Sequence, residues 1–173
     1  MPVLSLSTFL KAATLSPERK ISLYKQYLIP GGGYDYYARL KEAIAKETYK
    51  GSSVTDAEDY LLAIKRKSEK DHSVFGLRSF NQMYLIDGMS FSKPTSAEII
   101  SPQKFLKISI SPICFAEYKG KKDIVCMWNT KTPTLTPIIG MVGVNLIKRS
   151  LGVKFEGSLT TLADLRTGNK YTE

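Results

Sequence analysis

Histidine occurs once and cysteine twice in the 173 residues. So few imidazoles and thiols exclude a four-ligand His/Cys zinc site. A Ser-His-Asp or Cys-His arrangement would have to pass through His72, which stands beside Asp71 at what reads as a helix boundary. No apolar run approaches the 18 or so residues that a membrane-spanning helix needs. The N-terminus also lacks the basic-then-apolar build of a secretory leader, its first cation being Lys11, so the expectation is a cytoplasmic protein with no membrane partner. Cys114 and Cys126 each sit inside an apolar stretch. They read as buried free thiols, with pairing across a hairpin as the alternative.

Hydrophobic residues make up 43% of the chain and charged residues 24%, the balance of a globular protein. The formal charge is +9 and is unevenly placed. Residues 1–100 carry 14 Lys/Arg against 11 Asp/Glu, and residues 101–173 carry 11 against 5. A field of this sign favours nucleic acid or an acidic protein as partner.

Along the chain the hydrophobic period changes from helical to strand-like. Ser16-Pro-Glu18 is a helix start, with Ile21, Tyr24 and Leu28 forming one stripe, and Pro30-Gly-Gly-Gly33 ends it. A second helix is predicted over 34–50, with Tyr37, Leu40 and Ile44 on one face and Gly51 as its stop. Thr55-Asp-Ala-Glu58 has the form of a capping box opening a helix over 56–70, whose last turn would carry Lys65, Arg66, Lys67 and Lys70. A fourth helix is expected over 74–86. The chain thus divides into a helical part (1–88), a Pro- and Ser-rich connector (89–103) and a strand-rich part (104–173).

In the strand-rich part, 105–110 alternates and 113–118 follows it. Lys119-Gly-Lys-Lys122 forms a hairpin turn to 123–128. An apolar helix over 137–151 follows, with Ile138, Met141, Val142, Asn145, Leu146 and Arg149 at helical spacing. Its Gly140 and Gly143 would admit close packing, with the sheet as the expected neighbour. Two strands about Arg166-Thr-Gly-Asn169 close the chain. The fold class is α+β: N-terminal helices beside one mostly antiparallel sheet, with one buried helix in a β-β-β-α-β-β order.

The glycine run 31–33 is no phosphate loop, since it follows a helix and lacks Gly-Lys-Ser/Thr. Tyr24, Tyr27, Tyr34, Tyr36 and Tyr37 would make either a base-stacking platform or a helix–helix interface. Lys119, Lys121 and Lys122 in one turn, with Lys148 and Arg149 at the end of the following helix, are the expected phosphate contacts of a basic binding protein. The alternative is a Mg²⁺-dependent nuclease, because the second half has an element order compatible with the PD-(D/E)XK core. Glu117-Tyr-Lys119 has the Glu-x-Lys form, and Asp164-Leu-Arg-Thr-Gly168 resembles the Asp-x-Lys-Thr-Gly signature of RecB-like nucleases. That resemblance implies Glu117, Lys119 and Asp164 as catalytic residues about a metal. Arg166 replaces the signature lysine and is a poor proton shuttle. Outside this alternative no cofactor is expected.

Short segments of both halves carry a further resemblance. Tyr36-Tyr-Ala-Arg-Leu-Lys-Glu-Ala-Ile44, Ile108-Ser-Ile-Ser-Pro112, Ile124-Val-Cys-Met-Trp128 and Leu162-Ala-Asp-Leu-Arg-Thr-Gly-Asn-Lys170 resemble segments of bacterial proteins without assigned activity. Those proteins join an N-terminal helical region to a C-terminal β part. The resemblance implies architecture and brings no catalytic residues with it.

Overall fold

The computed structural model describes residues 1–28 and 35–173, and the expected glycine-run turn and Tyr34 lie outside them. The elements in chain order are β1 (Val3–Ser5), α1 (Leu6–Ala13), α2 (Pro17–Leu28), α3 (Ala38–Thr48), α4 (Val54–Leu62), α5 (Lys67–Tyr84), β2 (Met89–Ser92), β3 (Ala97–Ile100), β4 (Lys107–Ile110), β5 (Cys114–Tyr118), β6 (Lys121–Trp128), α6 (Pro137–Ile147), β7 (Leu159–Asp164) and β8 (Asn169–Thr172). A π-helical turn, Lys148–Gly152, extends α6. The class is α+β, helices first and strands after, and residues 107–172 follow the expected β-β-β-α-β-β order.

Two sheets form where one was expected. The larger runs β2-β5-β6-β7-β8 and the smaller β1-β4-β3. Each holds one parallel pair: β6 with β7, bridged by α6, and β1 with β4. A parallel pair needs a crossover, and here α6 supplies it for the larger sheet. The two central strands are covered on both faces, so β6 from Ile124 and β7 from Thr160 are buried without alternation.

The five-stranded sheet separates two cores. On one face Leu40, Ile44, Leu61, Leu77, Phe80 and Tyr84 of α3–α5 pack against Cys114, Ala116, Val125, Met127 and Ala163. On the other, Leu6 and Leu10 of α1, Ile108 and Ile110 of β4, and Val144 and Ile147 of α6 pack against Ile124, Cys126, Trp128 and Leu162. Cys114 and Cys126 thus face opposite sides, both are buried and free, and no hairpin disulfide forms.

The glycines of α6 act as the spacing implied. A Cβ on Gly140 would stand 2.6 Å from the Tyr171 ring of β8, and one on Gly143 would stand 2.7 Å from Leu162 of β7. The helix therefore sits on the sheet through Gly140, Gly143, Val144 and Ile147, whereas Ile138, Met141 and Val142 are exposed. The expected stripe lies on the outer face because close approach selects the glycine side of the helix.

Other boundaries moved for local reasons. Thr55-Asp-Ala-Glu58 is not the capping box. Ser53 caps α4, its Oγ accepting from the Asp56 amide while the Asp56 carboxylate accepts from the Ser53 amide. The expected helix over 56–70 breaks after Leu62, so Arg66 is the N-cap residue of α5 and Lys67 and Lys70 lie in its first turn instead of closing a helix. His72 is accordingly inside α5, not at a boundary. The connector carries two strands, β2 on β5 and β3 on β4. In β1–α1, which the reading above does not anticipate, Ser5 Oγ caps the helix through the Thr8 amide at 3.2 Å.

Candidate functional site

The expected nuclease constellation is spread over the sheet. Glu117 lies opposite Lys122, and Asp164 lies beside Trp128, six residues farther along β6. At about 3.3 Å per residue the two carboxylates stand near opposite ends of the sheet, roughly 20 Å apart. Asp164 is buried and serves the turn after β7: Oδ1 accepts from the Arg166 amide at 2.9 Å and Oδ2 from Thr167 Oγ1 at 2.8 Å. Among the described residues no three His, Cys, Asp or Glu side chains are grouped so as to hold a metal ion.

The expected phosphate contacts gather at the end of the sheet where β5 turns into β6. Lys119 and Gly120 both have positive φ, which makes a tight two-residue turn. Lys119 Nζ lies 5.1 Å from the Tyr118 ring, Lys122 faces Glu117 across the strands, and Lys148 is ion-paired with the Glu173 carboxylate. Arg149 is exposed in the π-helical turn. The structure does not bring these five into one pocket.

A different group converges at the opposite end, where β6 and β7 finish. Asp35 Oδ1 accepts from the Tyr37 amide at 3.1 Å and turns the chain into α3. Tyr37 then reaches across to donate its hydroxyl to the Asn129 carbonyl at 2.7 Å, just past β6. Tyr36 packs edge-on against Tyr37, ring centroids 5.0 Å apart, and its hydroxyl lies 3.0 Å from His72 Nδ1 on α5. Three cations surround this pair. Arg66 Cζ stands 5.7 Å from the Tyr36 ring centre, and Arg166 Cζ lies 4.6 Å over Phe75, one turn of α5 beyond His72. Lys131, on the loop after β6, is close enough for its charge to act on His72.

The electrostatics register this crowding. Burial holds the His72 pKa below the ordinary 6.5, Arg166 and Lys131 lower it further, and Asp71 opposes them. Burial also raises Tyr37, with Tyr36 adding to the shift and Arg166 opposing it. The ion pairs among the described residues join Lys41 to Asp35, Lys50 to Glu42, Arg78 to Glu58, Lys107 to Glu98 and Lys148 to Glu173. None of them involves Arg66, Lys131 or Arg166. Phe75 keeps 47% of its surface exposed, so the arginine-covered ring faces solvent.

Beside this cluster a groove of about 390 Å³ opens between α1, α2, the start of α3 and the ends of β4 and β6. Tyr36 belongs to both. Lysine runs do not mark the cluster, because it draws on four separated segments: Tyr36–Tyr37, α5 with its cap Arg66, Lys131 and Arg166. Three signals pointed to it: the tyrosines at 36 and 37, the lone histidine and the arginine at 166. No protein-family model matches the chain, and no curated protein sequence matches it.

Proposed function

We propose that the protein binds single-stranded nucleic acid through the cationic and aromatic side chains gathered at the ends of β6 and β7. The observation that carries this reading is the convergence of Arg66, Lys131 and Arg166 on Tyr36, His72 and Phe75, none of the three cations being in an ion pair among the described residues. Guanidinium groups against the half-buried Tyr36 ring and the exposed Phe75 ring suit a strand whose phosphates need neutralising and whose bases offer π faces. The net charge of +9 supports electrostatic capture of the same ligand. Two buried thiols on opposite faces of the sheet fit a reducing, cytoplasmic setting. An acidic protein is the second partner that the same field would attract.

The test is fluorescence anisotropy with a labelled oligoadenylate across a salt series. Affinity should fall steeply with salt, and Arg166→Glu should remove roughly one phosphate's worth of slope, about 0.7 in log–log units for a single strand. An affinity independent of salt, or unchanged by Arg166→Glu, would defeat the reading. Preferential binding of polyglutamate would replace nucleic acid with an acidic protein.

A further inference from the structure

We infer that the groove beside the cluster receives the base and sugar of one nucleotide, whose phosphate turns toward Arg66 and Lys131. This rests on the nucleic-acid reading above and goes beyond it, since charge alone needs no groove.

The lining decides what the groove takes. Its volume of about 390 Å³ falls in the range of small-molecule sites and is too small for a duplex. The walls combine tyrosine rings (Tyr27, Tyr36, Tyr37) with serine and threonine hydroxyls from β1, α1, β4 and the end of β6. Its charge is sparse. Lys41 is held by Asp35 at 2.8 Å, which leaves Lys11 as the groove-lining cation outside the ion pairs of the described residues. An acidic peptide would gain little from such a surface, whereas an uncharged ring with a hydroxylated sugar matches it.

Asn129 connects groove and cluster. It lines the groove and is 3% exposed. Its amide nitrogen turns to the His72 carbonyl at 3.4 Å, and its Oδ1 is buried without a hydrogen-bond partner. Both ends of that amide pack under α5, where a Cβ on Gly76 would stand 2.9 Å from the nitrogen and 3.2 Å from the oxygen, so the side chain ties the groove's inner end to the helix that carries His72. At the N-terminus of α1, Ser5 Oγ already takes the Thr8 amide. Tyr36 joins the two regions, one ring edge on Tyr37 in the groove and its hydroxyl on His72 in the cluster. A nucleotide lying across Tyr36 would therefore present base and sugar to the hydroxyls and its phosphate to the cations.

The experiment fills the groove without touching the cations. Ser109→Leu on β4 and Ser7→Leu on α1 each place an alkyl chain in it, and neither residue belongs to the charged cluster. Each variant, folded by its thermal melt, is titrated with the labelled oligoadenylate. The expected result is about a tenfold loss of affinity with the salt slope unchanged, because stacking is lost and phosphate contacts remain. Wild-type affinity in both variants, with Arg166→Glu still weakening binding, overturns the groove assignment and leaves the proposed function standing. Loss of every Arg166 effect as well would defeat both. AMP and inorganic phosphate titrated into wild-type protein by amide NMR give a readout independent of folding. AMP should shift Ser7, Ser109 and Asn129, whereas phosphate should shift only the neighbourhood of Arg66 and Arg166. Identical shift patterns for the two ligands would overturn the assignment.

Discussion

The two ends of the five-stranded sheet carry comparable numbers of cations and differ in what surrounds them. At the β5–β6 turn Lys119 leans on Tyr118 and Lys148 is held by Glu173, while Lys121, Lys122 and Arg149, also outside the ion pairs of the described residues, share no aromatic group. At the other end, Arg66, Lys131 and Arg166 come from separate segments to one aromatic group, and no ion pair among the described residues involves them. A run of lysines in sequence marks local charge density. A site needs charges that converge on one group, and only a fold arranges that.

Charge reversal at each end gives the largest contrast. Arg166→Glu should weaken oligoadenylate binding by roughly 30-fold near 0.1 M salt, through direct loss and repulsion. The double change Lys121→Glu with Lys122→Glu removes more charge and should cost less than about threefold, through the long-range field alone. Equal losses in the two anisotropy titrations would show that net charge, not the cluster, binds the ligand.

Backbone packing sharpens the same comparison. A Cβ on Gly76 of α5 would stand 2.8 Å from Leu40 and 2.9 Å from the Asn129 amide beneath the cluster. Gly76→Ala should therefore destabilise by about 2 kcal/mol in denaturant melts and weaken ligand binding too. At the opposite end, Gly120→Ala meets no steric neighbour but forces alanine to φ +75, a cost of about 1 kcal/mol with binding unaltered.

Glu47 on α3 provides a control away from both ends. Burial raises its pKa to about 7, Asn81 offsets part of this, and Glu58 adds to it. The unfolded chain titrates near 4.5, so between these values the folded protein holds a proton that the unfolded chain has released. Stability should be greatest below pH 4.5 and fall as pH rises through 7. Glu47→Gln removes the charge and should flatten that part of the Tm–pH profile, raising stability at pH 8 by about 1 kcal/mol after allowance for solvent screening. Affinity for the oligonucleotide should not change.

The smallest effect belongs to His72. Its lowered pKa leaves it neutral at pH 7 in the free protein, and an anion beside it would restore its basicity. Binding should therefore tighten by about threefold from pH 7.5 to 5.5, and His72→Gln should abolish that dependence. A pH-independent wild-type affinity would place the phosphate away from His72.

Much of the fold was legible along the chain. The passage from helices to strands, the hairpin at Lys119-Gly120, the strand order about α6 and the close-packing role of Gly140 and Gly143 all rest on neighbours within a few residues, whereas the prolines and serines of 89–103 masked β2 and β3. The break between α4 and α5 was hidden because Lys65, Arg66 and Lys67 complement a helix end as readily as they interrupt one. The separate small sheet was hidden too, since β1 has only three residues and pairs with β4 a hundred positions away. The separation of Glu117 from Asp164 was hidden as well: two matching motifs say nothing about the six residues of β6 that lie between their carboxylates.

By itself, then, the sequence determined the α+β class, the basic character and the helix that packs through glycine. These follow from composition and from periods of two and 3.6 residues. The tertiary structure alone decided which cations stay outside ion pairs and which rings they meet. Arg66, His72, Lys131 and Arg166 share one surface only because α5 crosses the ends of β6 and β7. No local pattern encodes an encounter between residues so far apart in the chain.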